Sequence, residues 1–328
     1  MINKKGDISP VFKYIFIGII GVILLTFFVR FAFKQVETSD KITEFTETRT
    51  LEDMLISFSI SGETTIPANF YTKDKISLDP FNCDSLIVGN NRLKTSKIIF
   101  APKELNSEFY IWGTDWKYPY RIGNIFYLAD KETLFVLVGG SLAENLKGVK
   151  DPKTGRVNEG SIPDVFSVEY KKSVDSNYLT QVLEDYSRVR VIFIDTSNTL
   201  KNLENENLEV VEIKTKDCES ENDMECRGAL LQGNKQYFFF GKPLLYGAIF
   251  SSNYKCSYER AVEKFNVINK VYSGKAEELA SKVSGCDYSL LKNLLLQKVT
   301  NPEEYLDRAN NLDKENNRLR ERDCETVF

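Results

Sequence analysis

Residues 11–33 read VFKYIFIGIIGVILLTFFVRFAF, and no other feature constrains this chain as much. Between Tyr14 and Val29 there is no charge and no proline. With its flanks the run approaches the roughly 20 residues a helix needs to cross a bilayer. Ser9 suits the helix N-cap and Pro10 the first helical position. Lys4, Lys5 and Lys13 precede the apolar stretch, while Arg30 and Lys34 follow it and are soon joined by Glu37 and Asp40. That charge bias points to a signal anchor with its N-terminus inside and the rest of the chain outside. A cleaved secretory signal fits poorly, because bulky residues stand at 30–35 where small ones are needed. The expected order is a cytoplasmic segment 1–10, a transmembrane helix 11–33 and a helical stalk 34–57.

The remaining sequence is globular, with 42% hydrophobic residues overall. Net charge is −4, and no basic stripe interrupted by aromatics occurs, which argues against nucleic-acid binding. There is no histidine. Its absence excludes Ser-His-Asp and Cys-His catalysis within the chain, and His-containing zinc sites with them. The six cysteines are Cys83, Cys218, Cys226, Cys256, Cys286 and Cys324, none in a C-x-x-C pair. Cys218 and Cys226 flank a short acidic loop, a spacing that suits a local disulfide. Cys256, Cys286 and Cys324 lie at helix edges, where bridges would tie helix ends. An even count behind an anchor fits an oxidising compartment.

The expected fold class is a mixed α/β head with three parts. Residues 58–130 form a β-rich subdomain, with strands at 55–60, 85–88, 97–100, 109–112 and 125–128. Residues 131–250 form a small Rossmann-like parallel α/β layer. Its strands are 134–138, 165–170, 189–194, 208–213 and 235–240, and its helices are 141–146 and 175–186. Residues 251–328 form C-terminal helices, the last starting after Asn301-Pro302 and repeating Tyr305, Leu312 and Leu319 at heptad spacing. The aromatic cluster Trp112, Trp116, Tyr118, Tyr120, Phe126 and Tyr127 reads as a core seam, with a ligand platform as the alternative.

Three places could carry chemistry. Gly139-Gly140-Ser141 follows a strand and opens a helix, where α/β folds bind phosphates, and Ser141 with Glu144 has capping-box spacing. The turn lacks the G-x-G-x-x-G pattern, so a plain βα turn is the simpler reading. Asp217, Glu219, Glu221, Asp223 and Glu225 surround the Cys218–Cys226 loop without calcium-loop spacing. Asp195 follows a strand, where a carboxylate acts either in catalysis or as a helix N-cap. These positions yield no catalytic, cofactor or metal residue set, and no cofactor is expected.

Two resemblances can be drawn from particular stretches. Lys4-Lys5-Gly6-Asp7-Ile8-Ser9-Pro10 ahead of the apolar run resembles the short signal of archaeal type IV pilin-like proteins, which implies processing after Gly6. The runs 97–105 (KIIFAPKEL) and 111–120 (IWGTDWKYPY), together with 6–33 and Arg322-Asp323-Cys324, resemble a group of uncharacterised archaeal single-pass membrane-anchored proteins. That resemblance implies architecture and cell-surface placement, and no activity. The functional expectation is a membrane-anchored, extracytoplasmic binding or structural component of the cell envelope. It would contact the bilayer through 11–33 and a protein partner or a second copy through its head. A pilin-like filament subunit and an enzyme at the α/β sheet edge remain as alternatives.

Overall fold

The computed structural model describes residues 9–61, 68–73, 75–79, 85–89, 91–148, 160–197, 200 and 206–328. Gly6 and Cys83 lie outside them. Helix α1 (Ser9–Ser61) is continuous over 53 residues, a length of about 80 Å at 1.5 Å per residue. Ile15 and the large apolar side chains from Ile19 to Phe31 are exposed. Among the described residues, no helix is long and apolar enough to cross a membrane. The span expected at 11–33 is only partly covered, since side chains 11–14, 16–17 and 32–33 fall outside the description. The described residues therefore do not carry the transmembrane reading on their own.

The strand expected at 55–60 is instead the last turns of α1. Its alternating LISFSI pattern is overridden because Leu51 and Leu55, one helical turn apart, are both buried in the head. The helix end is also held by polar contacts. Arg121 Nη2 donates to the Ser59 carbonyl at 3.2 Å and Asn124 Nδ2 to the Phe58 carbonyl at 3.4 Å. These are C-terminal carbonyls that the helix itself leaves without partners, and a cation there complements the helix dipole.

Two four-stranded sheets follow. The first has the order β1 (Ala68–Tyr71), β7 (Glu108–Lys117), β8 (Arg121–Asp130), β5 (Ile98–Phe100). The second has the order β4 (Asn91–Lys94), β3 (Ser85–Val88), β2 (Ile76–Leu78), β6 (Glu104–Leu105). Along β8, Phe126 and Leu128 join the core shared with α1 and the second sheet. Ile125, Tyr127 and Ala129 point the other way, into the main core. The two-residue period of a strand thus builds two cores from one element.

The third sheet has six strands: β10 (Val168–Lys171), β9 (Thr133–Gly139), β11 (Arg188–Ile194), β12 (Leu208–Lys216), β13 (Arg227–Gln232) and β14 (Lys235–Phe240). The first four pair in parallel and β13 runs against them, with β14 antiparallel to β13, so the all-parallel layer expected from sequence is a mixed sheet. Both faces of β9 and β11 are buried. Phe135, Leu137, Ile192 and Ile194 face the main core. Leu134, Val136, Val191 and Phe193 pack with Leu179 and Val182 of α3 (Ser176–Asp185). Burial on both sides explains the near-continuous apolar runs. Asp175 caps α3, accepting from Tyr178 N at 2.8 Å.

Helix α4 (Lys242–Phe250) is buried on every side between the first and third sheets. Gly247 admits the Phe100 ring so closely that a Cβ would stand 2.7 Å from it. Helices α5 (Tyr254–Lys282), α6 (Ser289–Leu296) and α7 (Pro302–Glu321) close the main core. In α7, Tyr305, Ala309, Leu312, Asn316 and Leu319 are all buried, so the heptad-spaced face packs within the chain.

The aromatic cluster lies inside: Trp112, Trp116, Tyr118, Tyr120, Phe126 and Tyr127 are all buried. Tyr127 donates to the Pro243 carbonyl at 2.7 Å. Burial raises the pKa values of Tyr118, Tyr120, Tyr127 and Tyr254 above the ordinary 10.0. A raised folded pKa means these groups stabilise the fold fully below the unfolded value. That contribution is lost as pH rises from about 10 through the folded values. The buried tyrosines are therefore expected to ionise together with loss of far-UV ellipticity. A smooth, independent rise of tyrosinate absorbance in a folded protein would contradict their burial.

Candidate functional site

Strand β9 leads through α2 (Ser141–Lys147) to the edge strand β10, and α3 then carries the chain back across to β11. Neighbouring parallel strands β9 and β11 thus send their connections in opposite directions. Open α/β sheets bind ligands at such a point, outside the strand C-termini. A half-open cleft of about 390 Å³ lies here, lined by Leu142, Asp195, Thr215, Asp217, Cys218, Glu219, Ser220 and Glu225.

The register shows why these residues meet. Ile194 pairs with Gly139 on one side and Ile213 on the other. Asp195 therefore emerges between the ends of β9 and β12. Gly139 has φ +154°, and a Cβ there would lie 2.3 Å from the Ile194 carbonyl oxygen. Only glycine fits such a contact without moving the neighbouring strand. Gly139→Ala is expected to destabilise the fold by about 3 kcal/mol, read from the urea midpoint. A midpoint unchanged from wild type would contradict this close approach.

Each carboxylate in the cleft has a partner within the chain. Asp195, at φ 53°, accepts from Thr215 N at 2.6 Å and from the Thr215 hydroxyl. It is spent on the neighbouring strand, and residues 198–199, where a helix would continue, lie outside the description. Glu225 accepts from the Ser220 hydroxyl at 2.7 Å. Asp217, at φ 56°, pairs with Arg227 Nη1 at 2.8 Å. Arg227 Nε also reaches Glu303 at 2.8 Å. Burial acts to lower the Arg227 pKa, but the bonds to Glu303 and Asp217 outweigh it and leave the pKa raised. Lys216 and Arg227 hold the Glu303 carboxyl below its ordinary value.

The turn at Gly139-Gly140-Ser141 differs from the expected capping box. Gly140 is the N-cap and makes no side-chain capping bond. The Ser141 hydroxyl instead donates to Glu219. A carboxylate of the chain itself thus stands at the helix opening, where a phosphate would have to bind. With Asp195, Asp217 and Glu225 close by, the cleft repels anions. Among the described residues, no group of three or more His, Cys, Asp or Glu is placed to hold a metal ion.

The cleft loop is pinned by a Cys218–Cys226 disulfide. Cys286, just past α5, is bridged to Cys324, just past α7. Cys256 is also disulfide-bonded, to neither of them. Sequence reasoning identified Asp195, Gly139–Ser141 and the acidic loop separately. It missed Thr215 and the Ser141–Glu219 bond, which depend on the register of β12 against β11. Compared with family models, curated proteins and solved structures, the chain matches none.

Proposed function

We propose that the chain is a membrane-tethered protein of the cell envelope, with a disulfide-braced head outside the cytoplasm that binds a protein partner or forms part of an assembly. One observation carries this reading. Helix α1 runs unbroken from its exposed apolar stretch into the head, where Leu51 and Leu55 are buried. An apolar helix exposed on all sides needs a lipid or protein environment. The two bridges Cys218–Cys226 and Cys286–Cys324 suit an oxidising compartment. Alkaline carbonate extraction of membranes tests the tether. The full chain is expected in the pellet and the I19D/L24D variant in the supernatant; release of the wild-type chain would overturn the reading.

The same continuity favours a second reading, a pilin-like filament or assembly subunit processed after Gly6. In it, the apolar half of α1 packs against copies of itself once extracted from the bilayer. N-terminal sequencing separates the two, since processing gives a start at Asp7. An enzyme at the sheet edge draws less support, because the carboxylates there are bonded within the chain and their charge opposes phosphate.

A further inference from the structure

Where α5 and α7 pack against the turn between β7 and β8, three buried side chains carry hydrogen-bond donors that find no acceptor among the described residues. Arg308 on α7 is 3% exposed. Its Nη1 donates to the Gln297 carbonyl at 2.8 Å, and its Nη2 has no partner. Asn269 on α5 is 2% exposed; its Oδ1 accepts from the Tyr120 hydroxyl, while its Nδ2 has no partner. The Tyr118 side chain is fully buried, and its hydroxyl also has no partner.

No ion pair to Arg308 occurs among the described residues. Its guanidinium carbon lies 4.7 Å from the Phe265 ring centre and 5.4 Å from that of Tyr305. The groups that act on it electrostatically are the phenols of Tyr120, Tyr305 and Tyr118, and burial lowers its pKa. A buried cation without a counter-charge is costly, and each unpaired buried donor adds to the cost. Stacking on two rings offsets only part of this.

We propose that this seam is a binding site for one small monovalent anion of the halide class, held by Arg308 Nη2, Asn269 Nδ2 and the Tyr118 hydroxyl. The chemistry selects the guest. It must accept several hydrogen bonds at once and carry the missing negative charge. Water would satisfy some donors and leave the charge uncompensated. A monatomic halide is the smallest guest that meets both demands, which suits donors on side chains this deeply buried.

The test uses the full chain in detergent. Melting is compared in sodium bromide, chloride and gluconate at equal ionic strength, and crystals grown in bromide are measured for anomalous scattering. Binding to the folded state alone is expected to raise Tm by about 2–5 °C from gluconate to bromide. An anomalous peak is expected between Arg308 and Asn269. Arg308→Met should abolish the halide dependence. If that variant does not fold, Tyr118→Phe, which removes one donor and little volume, should weaken it several-fold. Equal melting in all three salts with no internal peak would overturn the proposal. So would a peak confined to the surface, or a Tyr118→Phe variant with undiminished halide dependence.

Discussion

Replacing Cys286 and Cys324 with serine is expected to lower the stability of the head by about 4 kcal/mol, from the loop-closure entropy of a bridge with this span. The two cysteines are 38 residues apart, and the loop between them contains α6 and α7. The bridge ties the end of α5 to the segment after α7, where Val327 N donates to Asn316 Oδ1 at 2.8 Å and Tyr288 donates to the Glu325 carbonyl at 2.9 Å. Without the cross-link, the unfolded chain regains the freedom of that loop and the helices lose their shared end point. The shorter Cys218–Cys226 loop, with a separation of 8, should cost about 2.5 kcal/mol by the same relation. Denaturant titrations of the two double variants check both the size and the order. Equal losses, or a larger loss for the short loop, would show that native packing rather than loop entropy sets the effect.

Leu51→Ala and Leu55→Ala are each expected to cost about 2–5 kcal/mol, the range for large-to-small changes in a closed core. Both side chains are fully buried, against a core that includes Leu86, Leu93, Phe109 and Phe126. They stand one helical turn apart and share a core, so the double variant should depart from additivity. The effect should also be local. Limited proteolysis is expected to separate α1 from the head before the third sheet opens, because Leu51 and Leu55 contribute to a core distinct from that of β9 and β11. Proteolysis that begins in the third sheet would contradict that docking.

Elements buried on both faces or capped in a regular way were legible from the sequence. Strands β9 and β11 are apolar runs ended by Gly139 and Asp195, and α7 starts at an Asn-Pro pair whose Asn301 accepts from Glu304 N. Helix α4 was not legible, since KPLLYGAIF is apolar all round and shows no periodicity. Strand β13 was hidden by Arg227 and Gly228 at its start. That glycine is needed because a Cβ would stand 2.0 Å from the Lys214 carbonyl oxygen. Strands β7 and β8 read as short pieces because polar residues interrupt them, yet both run for ten residues. The end of α1 read as a strand because its alternation was local and its burial was not. At the cleft the residue types were visible, but their pairing rests on strand register. At the donor-rich seam the signal was a polar Asn269 and a charged Arg308 within otherwise apolar helix faces, and only packing shows that both are buried.

In the proposed arrangement α1 holds the head outside the cytoplasmic membrane. Protease treatment of intact cells expressing the full chain, followed by detection of the head with an antibody, tests it most directly. The head is expected to be degraded or released from intact cells, while a fragment containing the apolar half of α1 stays with the membrane. A head that survives on intact cells and is digested only after lysis would contradict the account.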